Sequence, residues 1–132
     1  MIGGVVKRLA YFKLLLRAGT WRWLLARLDF VVMDHVTPWT RLARPRSSTV
    51  HPSVSFRRAE NVVLGENTRI QNNCVLWASP GSTITIGESS GLGPGTMIYS
   101  SNHQFVAGIA YHKQAWTERD VTVGRDVWVG AG

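Results

Sequence analysis

Residues 86–103 read Ile86-Gly-Glu-Ser-Ser-Gly, Leu92-Gly-Pro-Gly-Thr-Met, Ile98-Tyr-Ser-Ser-Asn-His103, three consecutive units of six that each begin with an aliphatic residue. The same phase runs upstream through Leu64-Gly-Glu-Asn-Thr-Arg, Ile70-Gln-Asn-Asn-Cys-Val and Leu76, and earlier through Val50 and Phe56. Downstream it returns in Val123-Gly-Arg-Asp-Val-Trp and Val129. Glycine holds the second position at Gly65, Gly87, Gly93, Gly124 and Gly130, and the fifth is small or short at Val54, Thr68, Cys74, Ser90, Thr96, Asn102 and Val127. A period of six fits neither a helix nor a long alternating strand. It fits short strands joined by tight corners, with one large side chain per unit filling the interior and a small one beneath each corner. Three such sides close a triangular coil of about 18 residues, and coils stack into a parallel solenoid.

These hexads resemble the hexapeptide-repeat acyltransferases, and the resemblance covers roughly residues 50–132. It implies a mainly β protein, a left-handed parallel β-helix, preceded here by two amphipathic α-helices. The left hand comes from the family alone, because the general crossover rule gives the opposite one. Residues 1–46 read as a basic helical segment with its connector, and residues 47–132 as the repeat domain.

The phase is interrupted between Ile98 and Val123, by an excursion at residues 99–120 holding Tyr99, Asn102, His103, Phe105, His112 and Trp116 before Glu118, Arg119 and Asp120. Long excursions in compact domains commonly carry function. Here the resemblance sharpens toward sugar and polysaccharide O-acetyltransferases, the galactoside and maltose enzymes among them. In these a protruding loop starts at the catalytic histidine, and a segment similar to Val121-Thr-Val-Gly-Arg-Asp-Val-Trp128 brings the chain back. The resemblance implies His103 as general base and Trp128 on the acetyl-CoA side. It also implies Asn73 on the acceptor side, with Tyr99 and Asn102 flanking the base. The chemistry independently calls for such a histidine: a hydroxyl is a poor nucleophile, and an imidazole that titrates near neutrality can take its proton as attack on a thioester begins. No covalent acyl-enzyme is needed. Cys74 fills a fifth hexad position and is read as a packing residue, His51 as part of an early corner, and His112 as structural or acceptor-contacting. The resemblance further implies a homotrimer with sites between subunits.

The formal charge of +7 sits wholly in residues 1–46, which hold nine of the fifteen Lys and Arg against Asp29 and Asp34; residues 47–132 are neutral. Val5, Leu9, Phe12 and Leu16 fit one helix face from Val5 to Arg17, with Gly19 ending that helix. Thr20 is expected to cap a second helix, with Trp21, Leu24, Leu25, Leu28, Val31 and Val32 on one side, which Pro38 stops. Residues 37–48 then read as a loop. The two helices fit packing on the protein or a partner subunit, or peripheral contact with a membrane; no nucleic-acid-binding motif accompanies the charge. No apolar run reaches the length of a signal peptide's core or of a membrane span, and the single cysteine suits a reducing compartment, so a cytoplasmic location is expected.

No metal is expected: a zinc site on this fold, as in the γ-class carbonic anhydrases, needs a closely spaced histidine pair plus a third, whereas His103 and His112 are nine apart. An amine on an amino sugar could replace the hydroxyl acceptor, and a non-catalytic scaffold would keep hexads without the histidine. Val129-Gly-Ala-Gly132 stops within a hexad, which reads as a fragment of a longer protein.

Overall fold

The computed structural model describes Tyr11 and residues 13–132. The chain divides into two compact units, with the boundary between Met33 and Asp34.

In the N-terminal unit the helix α1 spans Ala18–Val31 and buries none of its residues. The first expected helix, from Val5 to Arg17, lies mostly outside the described residues. Gly19 and Thr20 both fall inside α1, whose N-cap is Arg17. Thr20 does not cap this helix. Its hydroxyl donates to the Leu14 carbonyl at 2.7 Å and the Trp21 indole N–H to that of Leu15 at 2.7 Å. Both side chains therefore satisfy carbonyls of the preceding turn, which would otherwise lack partners at a helix end. A π-helical turn, Val32–Val36, runs across the boundary, and a short helix, α2 at Thr37–Arg41, belongs to the second unit. Pro38 does not stop the chain as expected, and part of the expected loop is helical. Pro38 lies in the first turn of α2, directly after the π-helical turn.

The remainder is mainly β, built from parallel sheets. Its twelve strands are β1 Thr49–Val50, β2 Ser55–Arg57, β3 Val62–Leu64, β4 Arg69–Ile70, β5 Val75–Trp77, β6 Ile84–Ile86, β7 Gly91–Leu92, β8 Met97–Tyr99, β9 Ser101–His103, β10 Trp116–Glu118, β11 Val121–Val123 and β12 Trp128–Val129. Three parallel sheets, β1-β4-β7-β12, β2-β5-β8 and β3-β6-β11, are visited in rotation, one strand of each per circuit. Aliphatic first positions stack in register: Val50 on Ile70 on Leu92 on Val129, Phe56 on Leu76 on Ile98, and Leu64 on Ile86 on Val123. Phe56, Leu76, Ile84, Ile86 and Leu92 are fully buried and form the core with Val54, Val62, Ile70 and Cys74.

The hexad positions acquire distinct physical meanings. At the fourth position the backbone is left-handed, at Asn67, Asn73, Ser89, Asp126 and Gly95. Glycine at the second position has another cause. A Cβ on Gly65 would lie 2.6 Å from the Glu88 backbone nitrogen, one on Gly93 2.8 Å from that of Ala131, and one on Gly87 would meet the Gly124 carbonyl. The next circuit passes too close for any side chain. At the fifth position Val54, Thr68, Cys74, Ser90 and Thr96 are buried, as expected. Asn102 is exposed, because the chain has left the coil by then, and Val127 is exposed as well.

Circuits are longer than about 18 residues: Val50 pairs with Ile70 and Leu76 with Ile98, offsets of 20 and 22. The surplus gathers at one corner, between the second and third sheets. It measures four residues after β2, six after β5 and twenty-one after β8. The excursion is this corner enlarged.

Candidate active site

The enlarged corner is a β-hairpin rather than a simple loop. β9 and β10 pair antiparallel, with His103 opposite Trp116, Asn102 opposite Thr117 and Ser101 opposite Glu118. The base of the arm is tied to the preceding corner. Gly81 N–H donates to Glu118 Oε2 at 2.6 Å and Thr83 N–H to Asp120 Oδ1 at 2.8 Å. Buried Ser100 accepts from the Ser79 N–H and the Ser82 hydroxyl at 2.9 and 2.7 Å.

Register decides which side chains meet. Directly opposed residues of an antiparallel pair share one face, and neighbours along a strand take opposite faces. His103 and Trp116 therefore stack, with ring centroids 4.0 Å apart and planes inclined 37°, and Tyr111 meets the imidazole edge-on at 5.7 Å. His103 Nδ1 is shut off from solvent and has no hydrogen-bond partner among the described residues, although the residue is only half-buried. Of the two ring nitrogens, only Nδ1 is both closed off and unpartnered among the described residues. His112 is exposed and touches Tyr111 edge-on. Trp116 and Tyr111 are the site residues that sequence reasoning missed; the tryptophan stood in the excursion, but nothing local fixed its register.

The opposite face of the arm carries Asn102, whose Oδ1 accepts the His103 N–H at 2.8 Å. With Tyr99, Ser100, Ser101, Thr117, Arg119 and Val121 it lines a cavity of about 340 Å³. Tyr99 is held there by an outward column in register along β2, β5 and β8. The Arg57 guanidinium lies 3.6 Å from the Trp77 ring centroid, and Trp77 meets Tyr99 edge-on at 5.4 Å.

The remaining residues singled out from the sequence fall elsewhere. Trp128 lies on β12 against Gly91, where an added Cβ would come within 2.8 Å of the indole, and it lines a cavity of about 500 Å³ with Asn67, Arg69, Ser89 and Asp126. Asn73 sits at the corner between β4 and β5, its φ of 59° left-handed and its N–H bonded to Ser53 Oγ at 2.9 Å, and lines neither cavity. The structure thus brings Tyr99 and Asn102 together, sets His103 on the reverse face of the same arm, and leaves Asn73 and Trp128 on the coil. Cys74 is fully buried with its thiol donating to the Gly93 carbonyl at 3.1 Å, and burial pushes its pKa up. That fits its reading as a packing residue. Among the described residues no three His, Cys, Asp or Glu side chains group as metal ligands would.

No family model matches the chain, and no solved structure does. The chain is similar to nodulation protein L of Rhizobium meliloti (strain 1021), 28% identical over 129 residues that cover 89% of it, and to nodulation protein L of Rhizobium leguminosarum bv. viciae, at 27% with the same coverage. It spans 64% and 62% of the lengths of those two proteins.

Proposed function

We propose that the protein is an acetyl-CoA-dependent acyltransferase that O-acetylates a sugar or a surface-polysaccharide precursor, working on a left-handed parallel β-helix. The observation that carries the reading is His103, held on an arm of the coil by the Trp116 stack, with Nδ1 closed off and the residue as a whole half-buried. The rotation of the chain through three parallel sheets and the similarity to the two nodulation proteins, which takes in the repeat region, support it.

His103 Nε2 takes the proton of the acceptor hydroxyl while its oxygen attacks the thioester carbonyl, a role that typically contributes about 10²–10⁴-fold. The tetrahedral oxyanion is met by a backbone N–H of the coil or arm. As the carbon–sulfur bond breaks, the imidazolium returns its proton to the departing thiolate. Cys74, buried and with its thiol pKa raised, takes no part. Trp128 lines the donor side and Asn73, Tyr99 and Asn102 the acceptor side. A neutral imidazole that accepts at Nε2 carries its proton on Nδ1, and a buried donor without a partner costs about 1–3 kcal/mol. The protein is proposed to act as a homotrimer; because Nδ1 is enclosed by this chain's own atoms, its partner comes from within the chain rather than from another copy.

His103→Ala is expected to lower acetyl-dependent release of CoA thiol at least about 10²-fold with the far-ultraviolet circular dichroism unchanged. Undiminished transfer would remove His103 from the base role.

We also propose that the enzyme is cytoplasmic and touches anionic membrane peripherally through residues 1–46. No helix among the described residues is long and apolar enough to cross a membrane. Trp21, Trp23, Leu25 and Leu28 are exposed on α1 beside Arg22 and Arg27, a combination that suits an anionic headgroup layer. Co-sedimentation with phosphatidylglycerol vesicles should need residues 1–46 and fall with salt; equal sedimentation without them would end this part of the proposal.

A further inference from the structure

Arg119 stands between two acids that are already committed. Glu118 accepts the Gly81 N–H and Asp120 the Thr83 N–H. The Arg119 backbone N–H donates to the Ser100 carbonyl at 2.9 Å, continuing the β9–β10 ladder by one residue. Its guanidinium has neither an ion pair nor a hydrogen bond among the described residues. Two positions beyond Thr117, it continues the face that carries Asn102 and Thr117, and all three line the cavity of about 340 Å³.

No carboxylate lines this cavity. In that it differs from the larger cavity beside Trp128, where Asp126 stands with Arg69 and would oppose an anion. Here a planar fork of five N–H donors stays unneutralised, and its geometry matches the paired oxygens of a carboxylate or phosphate. Tyr99 and Val121 give the cavity an apolar wall.

We propose that this cavity is an acceptor subsite for a negatively charged group on a saccharide, either the carboxylate of an acidic sugar or the phosphate of a sugar phosphate, with Arg119 as the specificity-determining residue and Thr117 and Asn102 completing its hydrogen bonds. The proposal deepens the acetyl-transfer reading and rests on it for the word acceptor. His103 follows Asn102 directly and faces the other way, so the charged group and the reacting hydroxyl are separated by the thickness of one strand. The acceptor carries its charge away from the hydroxyl that is acetylated.

Binding can be measured without turnover, by calorimetry or by amide chemical shifts, with glucuronate, glucose 6-phosphate and glucose as probes. At least one anionic probe is expected to bind at least tenfold more tightly than glucose. Preference for glucuronate assigns the carboxylate, preference for glucose 6-phosphate the phosphate, and either supports the subsite. Arg119→Gln should erase the preference, Arg119→Lys should keep part of it, and His103→Ala should leave it intact. Equal binding of all three probes, or an undiminished preference in Arg119→Gln, would overturn the subsite. A preserved preference in a protein that acetylates nothing would instead sink the acetyl-transfer reading and leave an anion site.

Discussion

Two kinds of corner share this coil, and they differ in what fixes their length. The corners after Leu64, Ile70, Ile86 and Leu92 repeat one recipe: a left-handed residue at the fourth position and a small buried one at the fifth. Three of them are clamped by the next circuit, since even one Cβ at Gly65, Gly87 or Gly93 would run into its backbone; the corner after Ile70 carries Gln71 at that position instead. The corner between the second and third sheets has no such clamp and grows from four to six to twenty-one residues. Loops at the surface tolerate insertion at small cost in closure entropy. The regular corners therefore carry stability, and the variable one is free to carry chemistry.

Substitutions can break or sharpen that contrast. The largest effect on stability is expected from Leu76→Ala, which empties a fully buried first position and should cost about 3–4 kcal/mol in denaturant unfolding. A loss below about 1 kcal/mol would mean that the coil core is not where stability resides. Next comes Gly87→Ala, expected to cost about 2–3 kcal/mol because the new methyl must displace backbone of the next circuit. An unfolding midpoint unchanged in Gly87→Ala would remove the close-approach account of the repeat.

On the arm the effects should move from stability to rate. Trp116→Ala is expected to lower kcat about tenfold, a difference of roughly 1.4 kcal/mol, with little change in KM or in the unfolding midpoint. Trp116→Phe, which keeps a ring against His103, should restore most of it. A rise in KM together with a loss of stability would make Trp116 structural only. Smallest of all, Cys74→Ala should cost about 1 kcal/mol and leave acetyl transfer untouched. Folded protein should label slowly with iodoacetamide near neutral pH, because a raised thiol pKa leaves less thiolate; rapid labelling would contradict the burial.

Much of the coil was legible because its constraints are local. An aliphatic residue every six positions, with glycine next to it, reflects the interior and the spacing of adjacent circuits, and both repeat within a few residues of each other. The extra residues in each circuit were harder to see, since Val62 and Ile84 begin strands two positions ahead of the hexads at Leu64 and Ile86. The arm was half legible. Its existence followed from the lost phase after Ile98, and His103 stood out by resemblance. Its register did not follow, because pairing His103 with Trp116 joins residues thirteen apart through a turn without a strong sequence signature. Asn102 misled for the same reason: it kept the hexad spacing while the chain departed from the coil. In the N-terminal unit, Gly19 and Thr20 had the chemistry of a helix break, but the side chains of Thr20 and Trp21 bond backward to Leu14 and Leu15 and the helix starts earlier.

The division between a clamped coil and a corner proposed to carry the chemistry is tested most directly by replacing residues 100–120 with the six-residue corner Ala78–Thr83 and measuring acetyl-dependent release of CoA thiol beside denaturant unfolding. The predicted result is a coil that still unfolds cooperatively and transfers no acetyl group. Transfer at the original rate, or loss of the cooperative transition, would contradict it.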